Sequence, residues 1–266
     1  MRRLLIFLLA VCPVGYGQLA LDTSTPVAVT ATDAGAGSHT VTLTTASFTP
    51  PAGSVVIACF YTNDGNGGTL SAFAITDNLA THLTYTNFAS RGNPTNDVQV
   101  NGWWAAVSTS AAMTVSASYH NSAGDAGSPS LLRVLVINGA NTTSPIGVTS
   151  GARGRTTNIS GAAAQYSSTV NGSWGWLMYA DWTASGIPTV PAGETVDASF
   201  NVSGEDSYAL IKQSSTTVTA GTTVTMSTST PTSGLQLSYA YFEIVPSGGG
   251  PPPPVTPRMT LLGVGP

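Results

Sequence analysis

The sequence predicts an all-β protein: a jelly-roll-like antiparallel β-sandwich of roughly 12–14 strands. Three observations carry this. Short runs of β-branched and aromatic residues recur between Gly, Asn, Asp and Pro, and no stretch past the N-terminus keeps a helical period. Only 8 % of the 266 residues are charged, against roughly 25 % in an average soluble protein. Ser and Thr number 68, beside 29 Gly, 17 Pro and a single lysine, Lys212. Such a chain lacks the Glu, Lys and Arg of a coiled coil, a charged bundle or a polyelectrolyte tail. It also lacks the clustered cations that phosphate contact requires, so it is not read as a nucleic-acid binder.

The chain opens with Arg2 and Arg3, an apolar run from Leu4 to Val14, and small residues at Gly15, Gly17 and Ala20. This is the pattern of a secretory signal, assigned to residues 1–20 with cleavage after Gly17 or Ala20. The run is too short to span a bilayer as a helix, which takes about 20 residues. Export places the protein outside the cell or at its surface, and a bacterial source fits the short signal. Removing the signal leaves six basic and twelve acidic side chains, a net charge of −6, and one cysteine, Cys59. Cys59 sits inside the apolar run 54–62 and reads as a small buried hydrophobe.

Strands are expected at 27–33, 39–45, 54–62, 72–77, 83–90, 98–108, 113–120 and 129–138. A second group is expected at 163–170, 173–183, 195–202, 206–213, 221–229 and 235–245. Residues 39–45 alternate, Val41 and Leu43 facing one way and Thr40, Thr42 and Thr44 the other. The glycine-rich turn 34–38 makes the first two strands a hairpin. Feature order repeats between the groups: an apolar strand, then Trp103-Trp104 or Tyr208, then 112–116 or 222–226, then 131–137 or 237–244. This fits two similar halves sharing one core, and it also fits the general likeness of β stretches. The sandwich is assigned to residues 21–246, a Gly/Pro linker to 247–254, and a short apolar tail to 255–266. A polyproline spacer would hold Met259, Leu261, Leu262 and Val264 away from the domain, where they could dock on a neighbour as an added strand.

Chemistry-bearing motifs are sparse. His-Glu-x-x-His, paired cysteines, Gly-x-Ser-x-Gly and phosphate-cradling loops are absent, so no cofactor and no catalytic residue is assigned. The acidic residues Asp181, Glu194, Asp197, Glu205, Asp206 and Glu243 are spread singly apart from one doublet; a glycosidase needs two carboxyls facing each other. The run Asn63-Asp-Gly-Asn-Gly-Gly68 offers oxygen ligands to calcium, yet Asn-Gly and Asp-Gly are ordinary turn formers. Gly151-Ala-Arg-Gly-Arg155 is a basic cluster read as an exposed loop. Aromatics give the best clue to function. Trp174, Trp176 and Trp182 share one face of a strand. Facing inward they are packing; facing outward they are a platform for sugars. Trp103 and Trp104 point to opposite faces, so one of them is the surface candidate.

The stretches Leu131–Ala140, Thr143–Gly147 and Gly172–Trp176 resemble a domain of secreted bacterial proteins and phage virion-surface proteins. The resemblance covers residues 27–246 and implies a jelly-roll-like sandwich with no functional residue to carry over. The leading expectation is a non-enzymatic surface-contact module, adhesin-like or glycan-binding. The alternative is a self-assembling subunit of a filament, coat or virion appendage, with a carbohydrate-active enzyme third.

Overall fold

The computed structural model describes residues 17–33, 35, 37–63, 69–92, 98–122, 128–154, 165–182, 186–202, 206–216, 219–228 and 237–248, with backbone alone at 152–154. Strands β1 (Ala20–Leu21), β2 (Val29–Thr32), β3 (His39–Thr44), β4 (Val55–Thr62) and β5 (Leu70–Asp77) come first. They are followed by β6 (Thr86–Arg91), β7 (Gln99–Ala106), β8 (Val115–Asn121) and β9 (Pro129–Asn138). The second half holds β10 (Ile146–Gly154), β11 (Gln165–Ser167), β12 (Trp174–Asp181) and β13 (Glu194–Val202). It closes with β14 (Asp206–Gln213), β15 (Thr223–Thr225) and β16 (Leu237–Ile244). The described residues contain no helix, and the all-β class read from the sequence holds.

The strands form four layers. A three-stranded sheet, β3-β8-β5, covers one face of a six-stranded sheet ordered β1-β9-β4-β7-β6, with β2 also along β9. The opposite face of that sheet packs on a five-stranded sheet, β10-β16-β12-β14-β13, which is capped in turn by the pair β11-β15. Both large sheets are therefore buried on both faces, which is why β4 and β12 carry no charged or strongly polar residue before their last positions, Thr62 and Asp181, and are buried at every position. Three cores result rather than the single shared core expected. The outer two lie under the small sheets, around Val56, Phe60 and Tyr119 and around Leu177, Tyr179 and Ile211. The central one joins Ile57, Cys59 and Tyr61 to Trp176, Met178, Tyr208 and Phe242.

The halves match in pairing and in register. In the first, β4 pairs β9 from Val55↔Ile137 to Thr62↔Ser130; in the second, β12 pairs β16 from Trp174↔Ile244 to Asp181↔Leu237. On the other side β4 pairs β7 and β12 pairs β14, with β6 and β13 outside them. Both outer strands carry a β-bulge at the same place, at Phe88 opposite Trp103 and Gly102 and at Asp197 opposite Ile211 and Leu210. A bulge specifies a position in a ladder, so its recurrence marks a duplication more sharply than any run of valines. The large sheets meet reciprocally, β6 over β16 and β13 over β9, the arrangement of a two-fold interface inside one chain. Each half stops short of a four-plus-four roll, since β6 and β13 sit at the edges of the large sheets.

Two expectations are corrected. Strands β2 and β3 are not a hairpin: β2 pairs β9 and β3 pairs β8, so the chain crosses between sheets at 33–38. Alternation identifies a strand and its inward face, not its partner. The cluster at 151–155 is not a loop up to Gly154, because Gly151, Arg153 and Gly154 pair with β16. Its glycines mark close packing: a Cβ at Gly147 would lie 2.3 Å from Glu243 Oε2, and one at Gly151 would lie 2.2 Å from the Tyr239 carbonyl oxygen.

Candidate ligand groove at Trp104

A groove of about 700 Å³ opens where the end of β7 meets the connection from β5 to β6. Its wall is built on one carboxylate. Asp77, whose side chain is fully buried, ends β5 and turns the chain by accepting the Leu79 N–H on Oδ1 at 3.0 Å and the Leu83 N–H on Oδ2 at 2.9 Å. Its Oδ1 also accepts from Nδ1 of His82 at 3.0 Å, holding an imidazole that is 61 % exposed. Asn78 accepts the Thr114 N–H at 2.7 Å, tying the wall to the start of β8. Behind the wall, burial and the Asp77 charge push the Tyr85 phenol upward, so it stays neutral.

The floor is Trp104, half-buried on β7, with Thr86 as its cross-strand neighbour. Thr81 and Thr84 line the groove beside His82. Ser108 and Thr109 come from the β7–β8 connection, and Thr142 from the link between the halves. Trp104 packs in part against the central core, and Leu79, Leu83 and Ala106 add apolar lining beside the hydroxyls. What remains of the ring can stack on an apolar face while the hydroxyls hydrogen-bond. Among the described lining residues none is Asp, Glu, Lys or Arg.

The other sequence candidates lie elsewhere. Trp103 points into the core under the β3-β8-β5 sheet and is 7 % exposed. Trp174 and Trp176 are buried in the central core, their rings edge to face at 4.9 Å, and Trp182 packs against the same core. Trp174 and Trp176 are therefore packing rather than an outward platform, while Trp182 is partly buried at the edge of the same core. Lys212 lies 5.6 Å and 5.5 Å from those two ring centres and donates to Asp197 Oδ1 at 3.0 Å. Asp197 Oδ2 accepts from Arg133 Nε of the first half at 2.8 Å, an ion pair across the central interface. Cys59 is wholly buried beside this network, and burial, reinforced by the Asp197 charge, pushes its thiol far up. It is no nucleophile.

None of the described carboxylates faces another across the groove. Asp181 accepts the Tyr179 hydroxyl at 2.8 Å, and Asp206 accepts from Asn63 at 2.9 Å. Glu243 is engaged by the Val148 N–H and by both the N–H and the hydroxyl of Thr169. Glu205, the loop residues 64–68 and the tail residues Met259, Leu261, Leu262 and Val264 lie outside the described residues. Sequence reasoning picked out the Trp103–Trp104 pair but missed Asp77 and His82. The available signal was Asp77-Asn78 at a strand end, a turn-forming doublet, with a histidine five residues on. The chain matches no family model, no curated protein and no solved structure.

Proposed function

We propose that the protein is an exported, non-enzymatic surface-contact module, adhesin-like, that holds a glycan in the groove at Trp104. The observation that carries the reading is the groove itself: a partly buried tryptophan that packs on the central core and also lines the groove, with threonine and serine residues among apolar ones, beside a histidine held by a buried carboxylate. Sugars offer an apolar ring face and a rim of hydroxyls, and this lining complements both. Export rests on the N-terminal pattern of residues 2–17. The fold supplies what a contact module needs, a rigid scaffold on which short connections present the site.

A glycan array probed with the exported protein and with Trp104→Ala is the test. The reading expects a defined set of positive glycans that the variant loses. An array on which the two proteins behave alike would overturn it.

A further inference from the structure

Resting on that reading, we infer that the groove selects an uncharged pyranose saccharide, with Trp104 as the stacking surface and His82 Nε2 as the acceptor for a sugar hydroxyl. The first argument is the tautomer. An ionised carboxylate can only accept, so Oδ1 of Asp77, 3.0 Å from His82 Nδ1, requires the proton on Nδ1. In the neutral ring Nε2 is then a bare acceptor, on a side chain that lines the groove. Such an acceptor needs a donor from the ligand, and sugar hydroxyls are donors.

The second argument is charge. A carboxylate or sulfate on a sugar is held by arginine or lysine forks. The described lining offers neither. Arg133 and Lys212 are both committed to Asp197 in the interface between the halves. An anionic sugar would meet a lone-pair nitrogen and, behind it, the negative charge of Asp77. The other polar lining residues, Thr81, Thr84, Thr86, Ser108, Thr109 and Thr142, carry hydroxyls that donate or accept as a neutral ligand demands, and the rest of the lining is uncharged and apolar. Asp77 is a positioning residue: it touches no ligand and acts through His82.

The experiment is titration calorimetry of the exported full chain with neutral hexose and N-acetylhexosamine oligosaccharides, and with matched oligosaccharides ending in sialic or uronic acid. Neutral ligands should bind, weakening about tenfold in Trp104→Ala, the equivalent of one aromatic contact. They should weaken about threefold to tenfold in His82→Ala, one hydrogen bond. Trp104→Phe should keep most of the affinity, which separates loss of the ring from loss of the fold. The histidine ¹⁵N spectrum should show His82 Nε2 unprotonated in the wild type. Acidic ligands that bind as tightly as neutral ones, still through Trp104, would overturn the selectivity and leave the contact reading standing. A protonated Nε2 would overturn the role of His82. No saccharide binding sensitive to Trp104 would overturn the contact reading itself.

Discussion

Glu194 shows at one position how burial sets behaviour. It opens β13, is half-buried, and its carboxylate accepts the Ser227 N–H at 3.2 Å. Burial pushes its carboxyl up to about 7, the Ser227 contact opposing only in part. The sign follows from proton uptake. Between its ordinary value of 4.5 and about 7 the folded chain binds more protons at this group than the unfolded chain does. This contribution to stability is therefore fully present below pH 4.5 and is lost as pH rises through 7. Solvent screening at a half-exposed site reduces the effect to about 1 kcal/mol. Urea titrations from pH 4 to 8 should show Glu194→Gln flattening this slope and gaining about that amount at pH 8. Cys59, wholly buried, should react with a thiol reagent only as fast as the protein unfolds. The tryptophans divide by the same logic, since adjacent residues on a strand take opposite faces. Trp103 is buried under the small sheet, whereas Trp104 packs in part on the central core and also lines the groove.

Elements were legible where side chains alternate or run apolar, and illegible where the backbone itself does the packing. Every strand expected from the sequence has its counterpart, and only β1 and β10 were unforeseen. β10 carries glycines at 147, 151 and 154 because β16 and Glu243 leave no room for a Cβ at the first two, and glycine reads as loop in a sequence. Gly151→Ala should accordingly cost about 2 kcal/mol, as overpacking against a fixed carbonyl does, measured by urea denaturation. β1 is only two residues long and pairs with Asn138 and Ile137. Leu19 just before it is 5 % exposed in the central core. On the export reading proposed above, cleavage after Ala20 would discard Leu19 and half of β1, so the cleaved chain should begin at Gln18. Intact mass and N-terminal sequencing check this, and a start at Leu21 would refute it. The groove was half legible for a related reason. A tryptophan doublet stands out in a sequence, whereas Asp77 and His82 gain their roles from a turn whose geometry no spacing rule specifies.

At the scale of the whole molecule, a duplicated sandwich is closed on itself by a central core and one ion-paired network. Trp176, Tyr208 and Phe242 have no alternative burial, so the two halves should unfold in a single transition by calorimetry. Asp197 holds Arg133 across the interface and Lys212 within its own sheet, and its side chain is 6 % exposed. Asp197→Ala leaves a buried guanidinium without its partner and should cost about 3 kcal/mol, whereas Arg133→Met with Asp197→Leu should recover most of that. The pseudo-two-fold relation also shows how the two halves diverge at the groove position. The ladder position held by Trp104 in the first half is held by Lys212 in the second, and Phe88 at one bulge is replaced by Asp197 at the other. The same ladder position thus carries an ion-paired lysine in one half and a groove-lining tryptophan in the other. The most direct test is to follow the five indole N–H resonances by NMR while adding neutral oligosaccharide to the protein. Saturable movement of the Trp104 resonance, with Trp174 and Trp176 unmoved, is the predicted result. An unmoved Trp104 at millimolar sugar would contradict the account.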